Sequence, residues 1–435
     1  MQLNLRYGRT GMPIDLAEDL DVEVLHLNPL PALTESNQAL DESLRNPIGC
    51  ASLDRIAAGR ESACIVISDV TRPVPNEPIL QSMLACLHDS GIPRHKVTIL
   101  VATGLHRPNI GPELEEMVGS EIMENYSIVN HAARNKDEQT SIGEVPMFIN
   151  GDSARVAIDN AYLQSDLKIT TGLIEPHLIA GYSGGRKLVC PGIASAETIM
   201  QFHSAPMIGH PRSVAGNLQE NPVHAMSRAV AGVTGVDFIC NVTLSEDRKI
   251  TGVFSGDLDA AHTAGIAHVD RQTKVPCRPA DIVITTSAGY PLDTTLYQVV
   301  KGMVGAVSAI KPGGTMIVAA SLSEGLGSPE FAAMCGTLRS ADEFIERVYN
   351  SDVIIDQWQL QGMMMVLQKC EVMIVSDGLS AAVLRDCLLT PMASVREALA
   401  AALKKHGSGA AITVIPEGPY VTPVPNGNGQ VVSAN

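Results

Sequence analysis

Seven short apolar runs, each closed by a glycine, proline or polar turn, constrain this chain more than any other feature. They are Ala63–Ser68, Val97–Ala102, Leu167–Thr171, Asp281–Thr286, Thr315–Ala320, Glu371–Val375 and Ala411–Ile415. Helix-length patterns lie between them, at Ile79–His88, Ser195–Phe202, Ser340–Asn350 and Pro391–Lys405. Strand-length runs alternating with helical segments predict an α/β fold of mainly parallel sheets covered by helices on both faces. The 435 residues allow two or three domains. The polar stretch RQTKVPCRP at Arg271–Pro279 carries two prolines and precedes a new run, so a boundary is expected there. We expect a domain over 1–272 and a smaller α/β domain over 273–407, with 408–425 returning to the first. The tail 426–435 reads as disordered.

Composition narrows the function. Hydrophobic residues make up 45% and charged residues only 18%, the balance of a chain with a large packed core. Aromatics are scarce, so the lone Trp358 asks for a reason. The net charge of −16 repels phosphate backbones, and no nucleic-acid partner is expected. An anionic small substrate would need local Arg and Lys to overcome that field. Nine cysteines, none in a C-x-x-C pair and most in apolar runs, read as buried thiols of a reducing compartment. The opening MQLNLRYGRTGMPIDL has no basic start followed by an apolar stretch, and no apolar run reaches membrane-spanning length. The expected location is therefore cytoplasmic, away from membranes.

In open parallel sheets ligands sit beyond the carboxyl ends of the strands, so the turns after the runs carry the chemistry. After Ala63–Ser68 comes Asp69-Val70-Thr71-Arg72-Pro73. It is either a capped turn or a place where Arg72 forks onto a carboxylate or phosphate. After Val97–Ala102, Thr103-Gly104-Leu105-His106 sets a histidine at a strand tip. After Leu167–Thr171 comes the densest stretch, in which Glu175-Pro176-His177 is followed by Gly181-Tyr182-Ser183-Gly184-Gly185-Arg186-Lys187. Glycine N–H groups beside a cation suit a phosphate, and Arg186 would depress the pKa of Lys187 and make it nucleophilic. His203 closes the helical segment Ser195–Phe202. With His106 and His177 it is a possible metal set, because imidazole suits zinc, copper, iron and nickel. After Asp281–Thr286, Tyr297, Gln298 and Lys301 are spaced to share one helix face. They form either a carboxylate receptor or an ordinary surface. The three methionines Met363–Met365 read as core filler. No dinucleotide-binding G-x-G-x-x-G follows a strand, and no Walker A or H-E-x-x-H motif occurs.

Taken in order, DVTRP (Asp69–Pro73), TGLHRP (Thr103–Pro108), EPH (Glu175–His177), GYSGGRK (Gly181–Lys187), His203, GYPLD…YQ..KGM (Gly289–Met303) and IPEGPY (Ile415–Tyr420) resemble the nickel-dependent lactate racemase family. The resemblance spans about residues 5–425. It implies two α/β domains with the active site in the cleft between them. It also implies a nickel-pincer nucleotide, a pyridinium mononucleotide holding nickel through two sulfurs and a ring carbon. By motif, Lys187 would carry it covalently, His203 would ligate nickel, and Asp69, Val70, Thr71 and Arg72 with Gly184 and Gly185 would bind it. His106 and His177 would be the acid–base pair. Arg72, Gln298 and Lys301 would hold the substrate carboxylate, and Tyr297 and Trp358 would line the pocket. The substrate would be a small 2-hydroxy acid (lactate, malate, a longer acid or a sugar acid), racemised or epimerised at C2. Maturation would involve cofactor-biosynthesis proteins. A homodimer is left open.

The chemistry asks for such residues. A carboxylate resists further negative charge at its α-carbon, so removing hydride is easier than removing a proton, provided an electron-poor ring receives it. The hydroxyl proton must leave as well, and two enantiomers present it on different sides, hence two imidazoles. The rival readings are a zinc-type hydrolase or lyase built on the three histidines, and a non-catalytic module binding a nucleotide or anion.

Overall fold

The computed structural model describes residues 1–426. The expected disordered tail, Asn426 apart, lies outside them. The fold is α/β with mainly parallel sheets. The chain forms two compact units: Pro29–His203 with His210–Gln272, and Met1–Asn28 with Ser204–Gly209 and the chain from Thr273 onward.

In the first unit the sheet runs in the order Ile250–Gly256, Phe238–Leu244, Leu167–Leu173, Ala63–Ser68, Val97–Ala102, Ser127–Asn130. All neighbours are parallel except Ile250–Gly256 against Phe238–Leu244. Every residue of Ala63–Ser68 is buried. Such unbroken apolar runs are what a parallel strand covered on both faces requires. From Ala63–Ser68 the chain winds outward on one side to Ser127–Asn130. It then crosses back to Leu167–Leu173 and winds the other way. The switch point, where loops part and leave a crevice, therefore lies beyond Ser68 and Leu173.

In the second unit the order is Thr390–Met392, Glu371–Val375, Ile310–Ala319, Ala280–Thr286, Ile412–Ile415, Val22–Val24, parallel throughout. Side chains alternate between two cores. Ile282, Ile284, Ile317 and Val414 meet the helix Val395–His406 on one face. Val283, Met316, Val318 and Ile374 meet Val300, Met303 and Leu360 on the other.

Several expectations change. The segment 408–425 does not return to the first domain: Ile412–Ile415 pairs with Ala280–Thr286, and Thr422–Pro425 pairs with Lys274–Cys277. Instead the N-terminal 28 residues cross over and supply the edge strand Val22–Val24. The boundary expected at Arg271–Pro279 falls between Gln272 and Thr273, in a stretch that holds the end of the helix Leu258–Thr273 and the strand Lys274–Cys277. Pro391 belongs to the strand Thr390–Met392, and the helix starts only at Val395, where Ser394 caps it by accepting from Glu397 N–H. Met363 and Met364 are core as expected, but Met365 is exposed. Among the described residues no helix is long and apolar enough to cross a membrane.

Candidate functional site

The first unit gathers most of the expected residues at its switch point. Asp69, just past Ser68, is buried and accepts from His106 Nδ1 at 2.6 Å. Its other oxygen accepts from the Thr71 hydroxyl at 2.6 Å and the Thr71 N–H at 3.3 Å. Burial alone would raise this carboxyl's pKa, but the hydrogen bond and charge of His106, then Thr71 and Arg72, hold it below the usual range. Val70 is exposed, and its N–H donates to Asn109 Oδ1. Arg72 Nε meets Glu175 Oε1 at 3.2 Å, so part of the expected carboxylate fork is already engaged within the protein. That ion pair ties the loop after Ala63–Ser68 to the loop after Leu167–Leu173.

His106 projects from a turn in which its own N–H donates to Thr103 O and the Thr103 hydroxyl donates to His131 O. The neighbouring Arg107 turns outward onto Glu113. His177 lies in the two-residue strand Pro176–His177, paired with Gly181–Tyr182. Its Nδ1 accepts from the N–H groups of Ala180 at 3.2 Å and Ile179 at 3.4 Å.

The Gly-Gly-Arg-Lys stretch forms a 3-10 turn, Gly185–Leu188. Gly184 has φ +75°, and a Cβ there would meet Asn241 Oδ1 at 2.8 Å, so only glycine fits. Arg186 does not point outward beside Lys187. It is 2% exposed, and its Nη1 donates to His262 Nδ1 at 2.8 Å, while Nε and Nη2 have no partner among the described residues. Burial lowers the Arg186 pKa to about 9. His262 Nε2 donates to Ser183 O. Burial, and then the Arg186 charge, lower the His262 pKa to about 3 and keep the ring neutral.

His203 caps the end of the helix Ala196–Phe202, which Ser195 starts by accepting from Thr198 N–H. Its Nδ1 donates to Ile199 O at 2.8 Å, so in the neutral ring the lone pair is on Nε2. His203 is half-buried. Burial and then the Lys187 charge bring its pKa down to about 4. The three-histidine metal set is not assembled: no group of three or more His, Cys, Asp or Glu is placed to hold a metal among the described residues.

In the second unit, Tyr297, Gln298 and Lys301 stand on the helix Leu296–Ala306, whose cap Thr295 accepts from Gln298 N–H. Gly302 brings this helix against the strand end, since a Cβ there would lie 2.2 Å from Thr286 O. Gln298 Oε1 is buried without a partner among the described residues. Trp358 is half-buried, neither core nor surface, and its Nε1 donates to Tyr297 OH at 3.3 Å.

Sequence reasoning missed Glu175 as the Arg72 partner, the Arg186–His262 contact, and a buried pair in which His131 Nδ1 meets Asp159 Oδ2 at 2.8 Å. Glu175 stood inside a quoted motif. His131 and His262 lay in stretches with no flag beyond being histidines. An open hollow lined by Phe148, His210, Arg212, Glu220 and Asn221 contains none of the residues above, and its Arg212 and Glu220 pair with each other.

Residues 7–216 match the family model described as the lactate racemase N-terminal domain, and 275–422 that of the lactate racemase C-terminal domain. A protein named lactate racemase from Lactiplantibacillus plantarum is 38% identical over 88% of this chain and 89% of its own length. Another of that name from Thermoanaerobacterium thermosaccharolyticum is 32% identical over 96% of this chain and 97% of its own. The crystal structure of a lactate racemase apoprotein from the latter organism superposes with a TM-score of 0.91 at 32% identity, covering 98% of this chain and all of that one.

Proposed function

Because this chain belongs to the lactate racemase family, we propose that it is an isomerase that inverts C2 of lactate or a closely related 2-hydroxy acid. The observation that carries the reading is His106, oriented by a buried carboxylate at the sheet's switch point, where ligands of such folds sit.

The residues present fit the nickel-pincer nucleotide. His203 offers a neutral imidazole with Nδ1 already committed to a carbonyl, the usual preparation of a metal-binding ring. Arg186, next to Lys187, holds two buried donor nitrogens without partners among the described residues, a donor set suited to a phosphate. In this reading Lys187 tethers the nucleotide, His203 ligates nickel, and Asp69 to Arg72 with Gly184 and Gly185 line its place. When bound, the group supplies an electron-poor ring able to accept hydride from C2. His106 and His177 hold or release the proton of the substrate hydroxyl at a ring nitrogen. Arg72, Gln298 and Lys301 bind the carboxylate and fix the orientation of the inverting centre, with Tyr297 and Trp358 beside it.

The test is co-expression with a cofactor-making pathway, followed by chiral chromatography of single-enantiomer 2-hydroxy acids. Wild type should racemise or epimerise one of them, while His106→Ala, His177→Ala and Lys187→Ala should not. Intact mass should show an adduct on wild type that Lys187→Ala lacks. A loaded, nickel-bearing protein that inverts nothing across a broad panel would sink the reading.

A further inference from the structure

The two histidines expected to share acid–base work differ in what their δ nitrogens touch. His106 Nδ1 faces a carboxylate oxygen of Asp69 at 2.6 Å. An ionised carboxylate only accepts, so Nδ1 carries the ring proton and Nε2 keeps the lone pair. His177 Nδ1 is met by the N–H groups of Ala180 at 3.2 Å and Ile179 at 3.4 Å. An N–H only donates, so here Nδ1 has the lone pair and the proton of the neutral ring sits on Nε2.

We infer that His106 and His177 are not interchangeable: Asp69 is a positioning residue that fixes His106 as a base at Nε2, while the turn after His177 holds that ring as an Nε2–H donor. The inference rests on the racemase reading. His106 takes the hydroxyl proton at Nε2 and becomes an imidazolium, with Nδ1–H still on Asp69, whose negative charge stabilises it. His177 cannot accept at Nε2 while that atom holds a proton. It becomes a base only in its other tautomer, and it returns a proton to the opposite face only as an imidazolium that has taken a solvent proton at Nδ1, while His106 gives its own to solvent; either change gives up the contact with Ile179 and Ala180. The resting chain is thus prepared for the enantiomer whose hydroxyl faces His106, and the opposite one waits on a change at the 178–180 turn.

The experiment is nitrogen NMR of cofactor-free protein labelled with 15N at histidine, with His106→Gln and His177→Gln assigning the two rings. We expect His106 to show an unprotonated Nε2 and His177 an unprotonated Nδ1. Asp69→Ala should shift His106 toward the Nε2–H form. Asp69→Asn, whose amide oxygen still accepts, should restore part of the original pattern. In the loaded enzyme Asp69→Ala should lower racemisation about 100-fold or more, with partial recovery in Asp69→Asn. kcat should differ between the two enantiomers of lactate by about 5-fold, the scale of one neutral hydrogen bond. kcat/KM must stay equal, because the equilibrium constant is unity. A protonated Nε2 on His106, or a protonated Nδ1 on His177, in wild type overturns the inference even if Asp69→Ala fails to fold. So does an unchanged His106 tautomer in a folded Asp69→Ala. The expected tautomers in a loaded protein that inverts nothing support the wiring and defeat the racemase reading instead.

Discussion

A guanidinium buried with two nitrogens unpartnered is costly, because the charge leaves water and gains little in return. Among the described residues Arg186 is that group, and its hydrogen-bond partner is a neutral imidazole rather than a carboxylate. If it is kept for an anion, Arg186→Met should leave the cofactor-free protein about 1 kcal/mol more stable by urea unfolding. The same variant should retain far less nickel per chain after co-expression. A large loss of stability would make Arg186 structural instead. His262 carries a second cost that depends on pH. Its pKa of about 3 lies below that of an unfolded histidine, about 6.5. The unfolded chain therefore binds the proton first. The stability this ring contributes is complete above pH 6.5 and is lost as pH falls toward 3. Between pH 6.5 and 5 the loss is at most about 2 kcal/mol for one ring, and His203 and His224, also depressed, add theirs. His262→Gln still offers Arg186 an acceptor but does not titrate, so its urea midpoint should fall less between pH 7 and pH 5 than that of wild type. The sequence pointed to His106, His177, Lys187 and His203 because they stand in turns after strands or at a helix end. It could not point to Arg186 as a buried group, since adjacency to Lys187 in the chain says nothing about which way each side chain turns.

At the level of elements, the site depends on how three chain segments are tied together. His131 follows the strand Ser127–Asn130, and its carbonyl accepts from Thr103, three residues before His106. Its ring spans two acceptors, Asp159 Oδ2 at the end of the strand Ser153–Asp159 and Ala194 O just before the helix that leads to His203. Asp159 accepts in turn from Ala161 N–H, starting the short helix Asn160–Leu163. His131→Leu strands a buried carboxylate and should cost about 3–5 kcal/mol. Adding Asp159→Leu should recover part of that loss, giving a coupling energy of at least 1 kcal/mol in a double-mutant cycle. Additive losses would mean that the two side chains do not act as a pair. Loops are where sequence reading thinned out, because such ties join residues 28 to 63 positions apart and leave no local pattern. Strands read better: Ala63–Ser68 and Val97–Ala102 coincide with their apolar runs, since burial on both faces writes itself into nearly every residue. The start of the final helix was misplaced because Pro391 and Met392 continue an apolar pattern that edge-strand pairing, not helix formation, satisfies.

For the whole molecule, the division of the chain differs most from what pattern suggests. Periodicity identifies elements but carries no address, so the weakly apolar opening residues gave no sign that they complete a sheet otherwise built from residues after 279. They do so substantially. Val22–Val24 covers the edge of Ile412–Ile415, Leu5, Leu16 and Leu25 are almost fully buried, and Gly8 N–H donates to the buried Asp293 at 2.6 Å. Burying one such leucine is worth about 1.5–3 kcal/mol. Three of them, with the strand pairing, approach the roughly 5–15 kcal/mol that holds an ordinary domain folded. Removing residues 1–28 should therefore unfold the unit that contains Trp358, or bring it close to unfolding, although no residue expected to touch cofactor or substrate is lost. Trp358 is the chain's one tryptophan, so its fluorescence reports on that unit specifically. In a urea titration the shortened chain should show the Trp358 transition at much lower denaturant than the full chain, or already complete in buffer. Adding 1–28 back through a flexible linker after Asn435 should restore it only if the linker can reach the open edge of Ile412–Ile415. An unchanged Trp358 midpoint on deletion would mean that the edge strand and its leucines are dispensable, and that the second unit is self-sufficient from Thr273 onward.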